Sequence, residues 1–333
     1  VKYLLFADLH LGIYNNSGIW HDIALNFIYE VRDYCIRNDI YEIFILGDFF
    51  DNRKEINTKT QNIAQDIAAI LDDFKVNIII GNHDIYYRNK IYPTSLRIFE
   101  KHNNINIIDK ITEYKNILLV PWLTKDVSRT FHTEAQYCFG HFETAGFKMN
   151  DNYTCKKGEN INTFKQFKQV LSGHFHMPSN NGNMTYLGSP YPLTFNDINS
   201  KRGYYLWEDG DLIFNEFKKC PKFHYINVNS EDIVDKDVIE GNIIKLKFSK
   251  DFGTNTNERI IETYKSFKPQ DLSFDFSVIA NDEDVGALDE DIGIIEHDKI
   301  IKEFVSKTKV PENINKKVLM KIINNMVNKI KEK

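Results

Sequence analysis

EIFILGDFFD (42–51) is a continuous apolar run that ends on a glycine and a carboxylate. An apolar run of this length between polar segments reads as a strand buried on both faces. Polar residues just beyond such a strand lie where ligand sites gather in α/β sheets. The same pattern stands on either side. VKYLLFA (1–7) runs into DLH (8–10), and VNIIIG (76–81) opens GNHD (81–84). Between these runs the apolar period changes to that of a helix. Ile23, Phe27, Ile28, Val31 and Cys35 share one face over 23–38, and Ile63, Ile67, Ile70 and Leu71 share one over 58–74. Strands separated by amphipathic helices predict βαβ units around a largely buried sheet. Trp20 and His21 precede the first periodic stretch and are expected in a surface loop.

Further on, the chain becomes richer in strands. NINIID, NILLVPW, QYCFGHF and QVLSGHF are candidate strands, while MTYLGSP, RGYYLWED and LIFNEFK suggest a meander. Asp-Gly at 209–210, between two apolar runs, predicts a hairpin. A boundary is expected near Pro221. HYINV, NIIKLKF, a helical TNERIIETYKSF and LSFDFSVI then describe a small α/β module over 223–281. An acidic linker is expected over 282–296, and two helices separated at VPENIN over 297–333.

The 333 residues carry a formal net charge of −5, which is no footprint for avid DNA binding by the whole surface but leaves room for a local basic face. Four cysteines without a C-x-x-C pair argue against zinc-ligand spacing and a disulfide framework, and suit reduced thiols in a cytosolic protein. Val1 to Phe6 already reads as a strand with no basic segment before it, so no signal peptide is expected. No apolar run approaches the roughly 18 residues of a membrane span.

The chemistry-bearing blocks are DLH (8–10), GDFFD (47–51), GNHD (81–84), GH (140–141) and GHFH (173–176). Carboxylates suit hard or intermediate divalent ions, and imidazole adds affinity for manganese, iron, cobalt or zinc. Two such ions need separate ligand sets and a shared anion, and Asp48 has two oxygens to share. Each block alone is a weak signal; the ordered set is a strong one.

That set resembles the calcineurin-like metallophosphoesterases, whose pattern is D-x-H, G-D-x-x-D, G-N-H-(D/E), H and G-H-x-H. The resemblance covers roughly 1–220 and implies a layered α/β/β/α sandwich, with a nuclease core over 1–222. It implies one metal on Asp8, His10, Asp48 and His176, and a second on Asp48, Asn82, His141 and His174. His83 would then act as general acid for the leaving oxygen or stabilise charge there, and Asp51 would hold His83 by hydrogen bonding. DLHLG, GDFFDNRK, GNHD followed by YYRNK, and GHFH followed by YLGSPYPLTF resemble a narrower branch. That branch is the nuclease subunit of the SbcCD-type double-strand-break repair complex, and most of all its phage form in a recombination endonuclease. Many cellular members carry a histidine where Asp51 stands, so this position does not separate nuclease from phosphatase.

The branch implies a two-metal DNA nuclease, with manganese expected and magnesium as the alternative. It would act as an exonuclease on duplex ends with endonuclease activity, by in-line attack of a metal-activated hydroxide. The module at 223–281 would cap DNA, and 297–333 would bind an SMC-like ATPase of the SbcC type. A homodimer and a cytoplasmic setting, the host's if the chain is phage-encoded, are also implied. The competing class is a small-molecule phosphoesterase, such as a nucleotidase or cyclic-nucleotide phosphodiesterase, which would share every metal ligand. The chain beyond residue 220 discriminates, because a small substrate needs no capping module and no partner hairpin. A scaffold with a degenerate site is a third class, which the complete ligand set argues against.

Arg53, Lys54, Lys59, Arg88 and Lys90 flank the metal blocks and either neutralise DNA phosphates or form an ordinary solvated surface. Tyr86, Tyr87 and Tyr92 either pack within their loop or stack on an unpaired base.

Overall fold

A computed structural model describes residues 1–125, 130–148, 154–198, 200–230 and 234–276. The expected linker (282–296) and helical pair (297–333) lie outside the described residues.

The N-terminal strands are β1 (Lys2–Phe6), β2 (Glu42–Ile45), β3 (Lys75–Ile79) and β4 (Ile105–Ile108), and they run parallel. β11 (Gly203–Glu208) joins the other side of β1 antiparallel, and β12 (Asp211–Glu216) pairs with β11 through the expected turn. The first sheet therefore has the order β12-β11-β1-β2-β3-β4.

The second sheet is built from β5 (Thr112–Tyr114), β6 (Ile117–Val120), β7 (Tyr137–His141), β8 (Gln169–Gly173), β9 (Ser179–Asn181) and β10 (Met184–Tyr186), in the order β5-β6-β7-β8-β10-β9. The expected meander is thus corrected. β10 pairs with β8 in the second sheet, and the chain then crosses to the first sheet for the β11–β12 hairpin. Short alternating runs predict strands, but they carry no record of which sheet each one joins.

Side-chain alternation makes the layers. Leu4, Phe6, Ile43, Ile45, Val76 and Ile78 face the helices Gly18–Arg37 and Thr58–Ile70. Their neighbours Leu5, Phe44 and Ile79 face the second sheet, meeting Leu119, Phe139 and Leu171. The outer face of the second sheet, with Val120, Cys138 and Val170, is covered by Phe131, Phe142, Phe164 and Phe167. This fourth layer, among the described residues, is loops and a 3-10 turn at Ile161–Phe164. Each fully buried Phe or Leu contributes about 1.5–3 kcal/mol of transfer free energy.

The first helix starts at Gly18, so Trp20 and His21 lie in it and are buried, contrary to the surface loop expected. Trp20 packs on Tyr14, Tyr191 and Phe223, the last two too distant in sequence for local periodicity to register. His21 Nε2 lies 2.9 Å from Thr60 Oγ1, which ties the two helices together. The second helix is capped by Asn57, whose side chain accepts from the Thr60 N–H at 2.9 Å.

Beyond Pro221, β13 (Phe223–Val228), β14 (Ile243–Phe248) and β15 (Asp271–Asp275) form a parallel three-stranded sheet. The helix Thr254–Ser266 covers it through Ile260 and Tyr264, giving these strands a core of their own. Phe223 and Ile243 pack instead into the main core, so the module is anchored at that edge. All four cysteines are free thiols. Among the described residues no helix is long and apolar enough to cross a membrane.

Candidate metal centre and active site

The five polar blocks meet at the carboxyl ends of β1, β2, β3, β7 and β8. Backbone bonds lock the first two together: the Asp8 N–H donates to Gly47 O at 3.0 Å and the His10 N–H to Asp48 O at 3.1 Å. The His174 N–H donates to Asp8 Oδ1 at 2.9 Å, and the His83 N–H to Asp48 Oδ1 at 2.8 Å. Asp84 fastens the third block, accepting from the Gly81 N–H at 2.9 Å and from the Phe50 N–H at 3.1 Å.

The backbone is strained where the polar side chains converge. Asp8, His10, Asp48 and His174 have φ values of 56°, 46°, 51° and 96°. Left-handed conformations cost non-glycine residues about 1–3 kcal/mol each and concentrate at functional sites. Space is equally tight: a Cβ on Gly81 would stand 2.2 Å from Asp48 Oδ1.

Two groups of donors result. Asp8, His10 and His176 form one and Asp48, His141 and His174 the other, each with ligand atoms within 4.8 Å of one another. Asp48 Oδ2 lies between them, 3.2 Å from His141 Nε2 and 3.8 Å from His10 Nε2. Asn82 Oδ1 joins the second group, 2.9 Å from His174 Nδ1 and 3.1 Å from His141 Nε2.

The donor chemistry fits cations. His10 Nδ1 is 3.2 Å from Asp51 Oδ1, and donating there makes Nε2 a lone pair. That Nε2 stands 3.0 Å from His176 Nε2, so two ring nitrogens converge on one point. His141 Nδ1 donates to Leu46 O at 2.7 Å, which turns its Nε2 toward Asp48 in the same way. Without a cation the charges conflict. Burial pushes Asp8 up to about 6 and Asp84 up to about 7. Asp48, also buried, is nonetheless held well below the usual carboxylate range by His141, His83 and His10. Burial opposes the charged form of His141, but Asp48 and Asp8 outweigh it and raise the group to about 9. Burial and then the His141 charge bring His174 down to about 3. Buried groups of this kind are ordinarily paired or bound to metal.

His83 and Asp51 are adjacent to this centre. His83 Nδ1 lies 2.6 Å from the backbone carbonyl oxygen of Asp51, while the Asp51 carboxylate is directed to His10. One residue thereby touches two histidines through different atoms, a division that sequence alone does not reveal. His10, Asp51 and His83 also form a third donor group. Its Nδ1 atoms are engaged by Asp51, which makes it a hydrogen-bonded support rather than an open ligand set.

Of the expected DNA contacts, Arg53 is half-buried and Lys54, Arg88 and Lys90 are exposed. Burial and then the neighbouring Arg88 charge lower the pKa of Arg53. Sequence reasoning missed two supports. The Tyr191 hydroxyl, wholly buried, donates to Leu9 O at 2.7 Å and braces the first block from beneath. Trp122 packs on His174 and His141 at ring separations of 5.2 and 5.9 Å. Their residue types are ordinary core types, and no local motif marks them.

The chain is similar to exonuclease subunit 1 of Enterobacteria phage T4, 32% identical over 222 residues, covering 62% of this chain and 65% of the relative. It thus spans about two thirds of the length of that relative. It is also similar to the SbcD subunit of the SbcCD nuclease of Staphylococcus epidermidis, 23% identical over 282 residues, covering 72% of this chain and 75% of the relative. Among solved structures, a nuclease MPE from Pseudomonas putida matches at a TM-score of 0.34 and 16% identity, over 63% of this chain and 86% of that one. A dimetal phosphatase from Danio rerio matches at 0.38 and 11%, over 62% and 91%. The family model described as calcineurin-like phosphoesterase matches residues 1–209, and this chain belongs to that family.

Proposed function

We propose that this chain is a two-metal DNA nuclease that works with an SMC-like ATPase in double-strand-break processing, recombination and replication. The observation that carries the reading is the convergence of Asp8, His10, Asp48, Asn82, His141, His174 and His176 on two adjoining points with Asp48 between them. Asp8, His10, Asp48 and His176 would hold one divalent ion, and Asp48, Asn82, His141 and His174 the other. Manganese is the favoured metal and magnesium the alternative. Bound ions would polarise the phosphoryl oxygens and supply an activated water at neutral pH.

The chain's own groups do the rest. His83 donates Nδ1–H to the Asp51 carbonyl, which leaves Nε2 as the atom that, in the doubly protonated ring, would deliver a proton to the leaving oxygen or hold charge there. Asp51 keeps His10 in the tautomer that presents Nε2. Arg53, Lys54, Arg88 and Lys90 neutralise phosphates on either side of the scissile bond. The names of the two curated relatives, an exonuclease subunit and a nuclease subunit, favour a nucleic acid over a small phosphoester. Exonuclease action on duplex ends, with endonuclease action besides, follows the same reading. So do residues 1–222 as nuclease core, 223–281 as a DNA cap, 282–296 as linker, 297–333 as the ATPase-binding element, and a homodimer.

The deciding experiment incubates the purified chain with linear duplex DNA and manganese or magnesium, with and without its ATPase partner. Metal-dependent degradation, abolished in His83→Ala with both ions still bound, supports the reading. Hydrolysis confined to mononucleotides would favour a small-molecule phosphoesterase instead.

A further inference from the structure

The segment after His83 folds back on itself. Ile85 and Thr94 form an antiparallel bridge, and the Tyr86 N–H donates to Pro93 O at 3.0 Å. Thr94 Oγ1 and the Ser95 N–H donate to Asp84 O at 2.8 and 2.9 Å, so the stem is fastened to the residue next to His83. Above this stem Tyr86 and Tyr87 are 44% and 49% exposed. Their rings meet edge to face with centroids 4.8 Å apart. They belong to none of the hydrophobic clusters of the fold. An exposed aromatic pair that contributes nothing to a core, on a stem fixed to the catalytic loop, is suited to meeting a ligand.

The surroundings identify the ligand. Arg88 follows Tyr87 in the chain and is exposed, and Arg53, two residues beyond Asp51, shares a cleft with Tyr86. A cleft of about 250 Å³ beside Tyr86 is lined by Arg53, Lys54, Ile56, Gln61 and Pro93 among others, with Glu55 its one carboxylate. Cations beside open aromatic faces match a single strand, whose phosphates pair with guanidinium groups while its bases stack. A base within a duplex is already stacked on its neighbours and offers no free face.

We propose that Tyr86 and Tyr87 are a stacking platform for an unpaired nucleotide next to the scissile phosphate, with Arg53 and Arg88 holding the phosphates of that strand. The proposal rests on the DNA-nuclease reading above and deepens it. The preferred substrate is an end carrying a frayed or overhanging strand.

The test uses the full-length chain with calcium in place of a catalytic metal, and compares affinity for overhang-bearing and blunt duplexes. Tyr86→Ala/Tyr87→Ala should reduce the preference for the overhang about tenfold or more, since base stacking on an aromatic ring is worth that much. Tyr86→Phe/Tyr87→Phe should restore it, which separates lost stacking from a damaged loop. Tyr41→Ala, an exposed tyrosine at the far end of β2, should leave the preference unchanged. A 2-aminopurine in the overhang should be quenched by the wild type and not by the double alanine variant. Wild-type cleavage of DNA with no change of preference or quenching in that variant would overturn the platform alone. A wild type that neither binds nor cleaves DNA would overturn the nuclease reading as well.

Discussion

Gly81→Ala tests how closely the centre is built. Gly81 does not have a left-handed φ, so alanine is compatible with its backbone. The added Cβ would nevertheless stand 2.2 Å from Asp48 Oδ1 and 2.3 Å from Asp48 N, more than 1 Å short of the 3.4 Å at which ordinary contact begins. Neither atom can yield alone, because Asp48 Oδ1 accepts from the His83 N–H and Asp48 O accepts from the His10 N–H. Overpacking of this kind costs about 1–3 kcal/mol. The stiffer alanine backbone offsets about 0.4–1 kcal/mol through the unfolded state, leaving a modest net destabilisation. The catalytic effect is expected to be larger in proportion. A displacement of about 1 Å at a reacting centre costs about 100-fold in rate. Urea unfolding, calorimetric metal titration and hydrolysis of an activated phosphodiester with saturating manganese measure the three quantities. Gly182→Ala is the control: it has φ +59° with open space around it, and should lose about 1–2 kcal/mol with unchanged activity. Activity and metal affinity of Gly81→Ala within threefold of wild type (~0.6 kcal/mol) would refute the claim that the missing side chain makes room for Asp48.

Four further outcomes are expected. Glu42 is nearly buried, and although burial alone would raise its pKa, hydrogen bonds from Asn77 and Lys75 hold it below its ordinary 4.5. The stability from its ionised form is complete above 4.5 and is lost as pH falls toward the depressed folded value; Glu42→Gln should flatten the acid limb of a pH–unfolding curve. Tyr191→Phe leaves Leu9 O buried without its donor, which should cost about 1–3 kcal/mol and weaken metal affinity in titration calorimetry. Phe44→Ala opens a cavity between the sheets and should cost about 3–5 kcal/mol in urea unfolding, with little change in the activity of the molecules that remain folded. Manganese at 100 times its dissociation constant should stabilise the chelator-treated protein by about 2.7 kcal/mol per independent site, raising its thermal midpoint. An unchanged midpoint would count against resident cations.

The sequence carries the parallel half of the first sheet almost completely. In β1, β2 and β3 every residue after the first is buried, and each run ends within a few residues of a candidate ligand. The third sheet is legible for another reason: buried and more exposed residues alternate along much of β13 and β14, the period of a half-buried strand. The limits fall where segments meet. Nothing local in MTYLGSP and RGYYLWED tells that β10 joins β8 while β11 joins β1. Trp20 and His21 precede the periodic stretch, and their burial is created by Tyr191, Phe223 and Thr60.

The candidate site divides in the same way. The sequence by itself determines which donors exist, their ligand chemistry, and their positions at strand ends, because strand period and side-chain chemistry are local properties. Tertiary structure alone decides that Asp48 Oδ2 lies between His141 and His10, and that Asp51 reaches His10 with its carboxylate and His83 with its carbonyl. It alone decides that Tyr86 and Tyr87 stand exposed on a stem fastened to Asp84. These are relations between atoms far apart in the chain. Close packing sets them to within fractions of an ångström, a precision that no pattern of residue types contains.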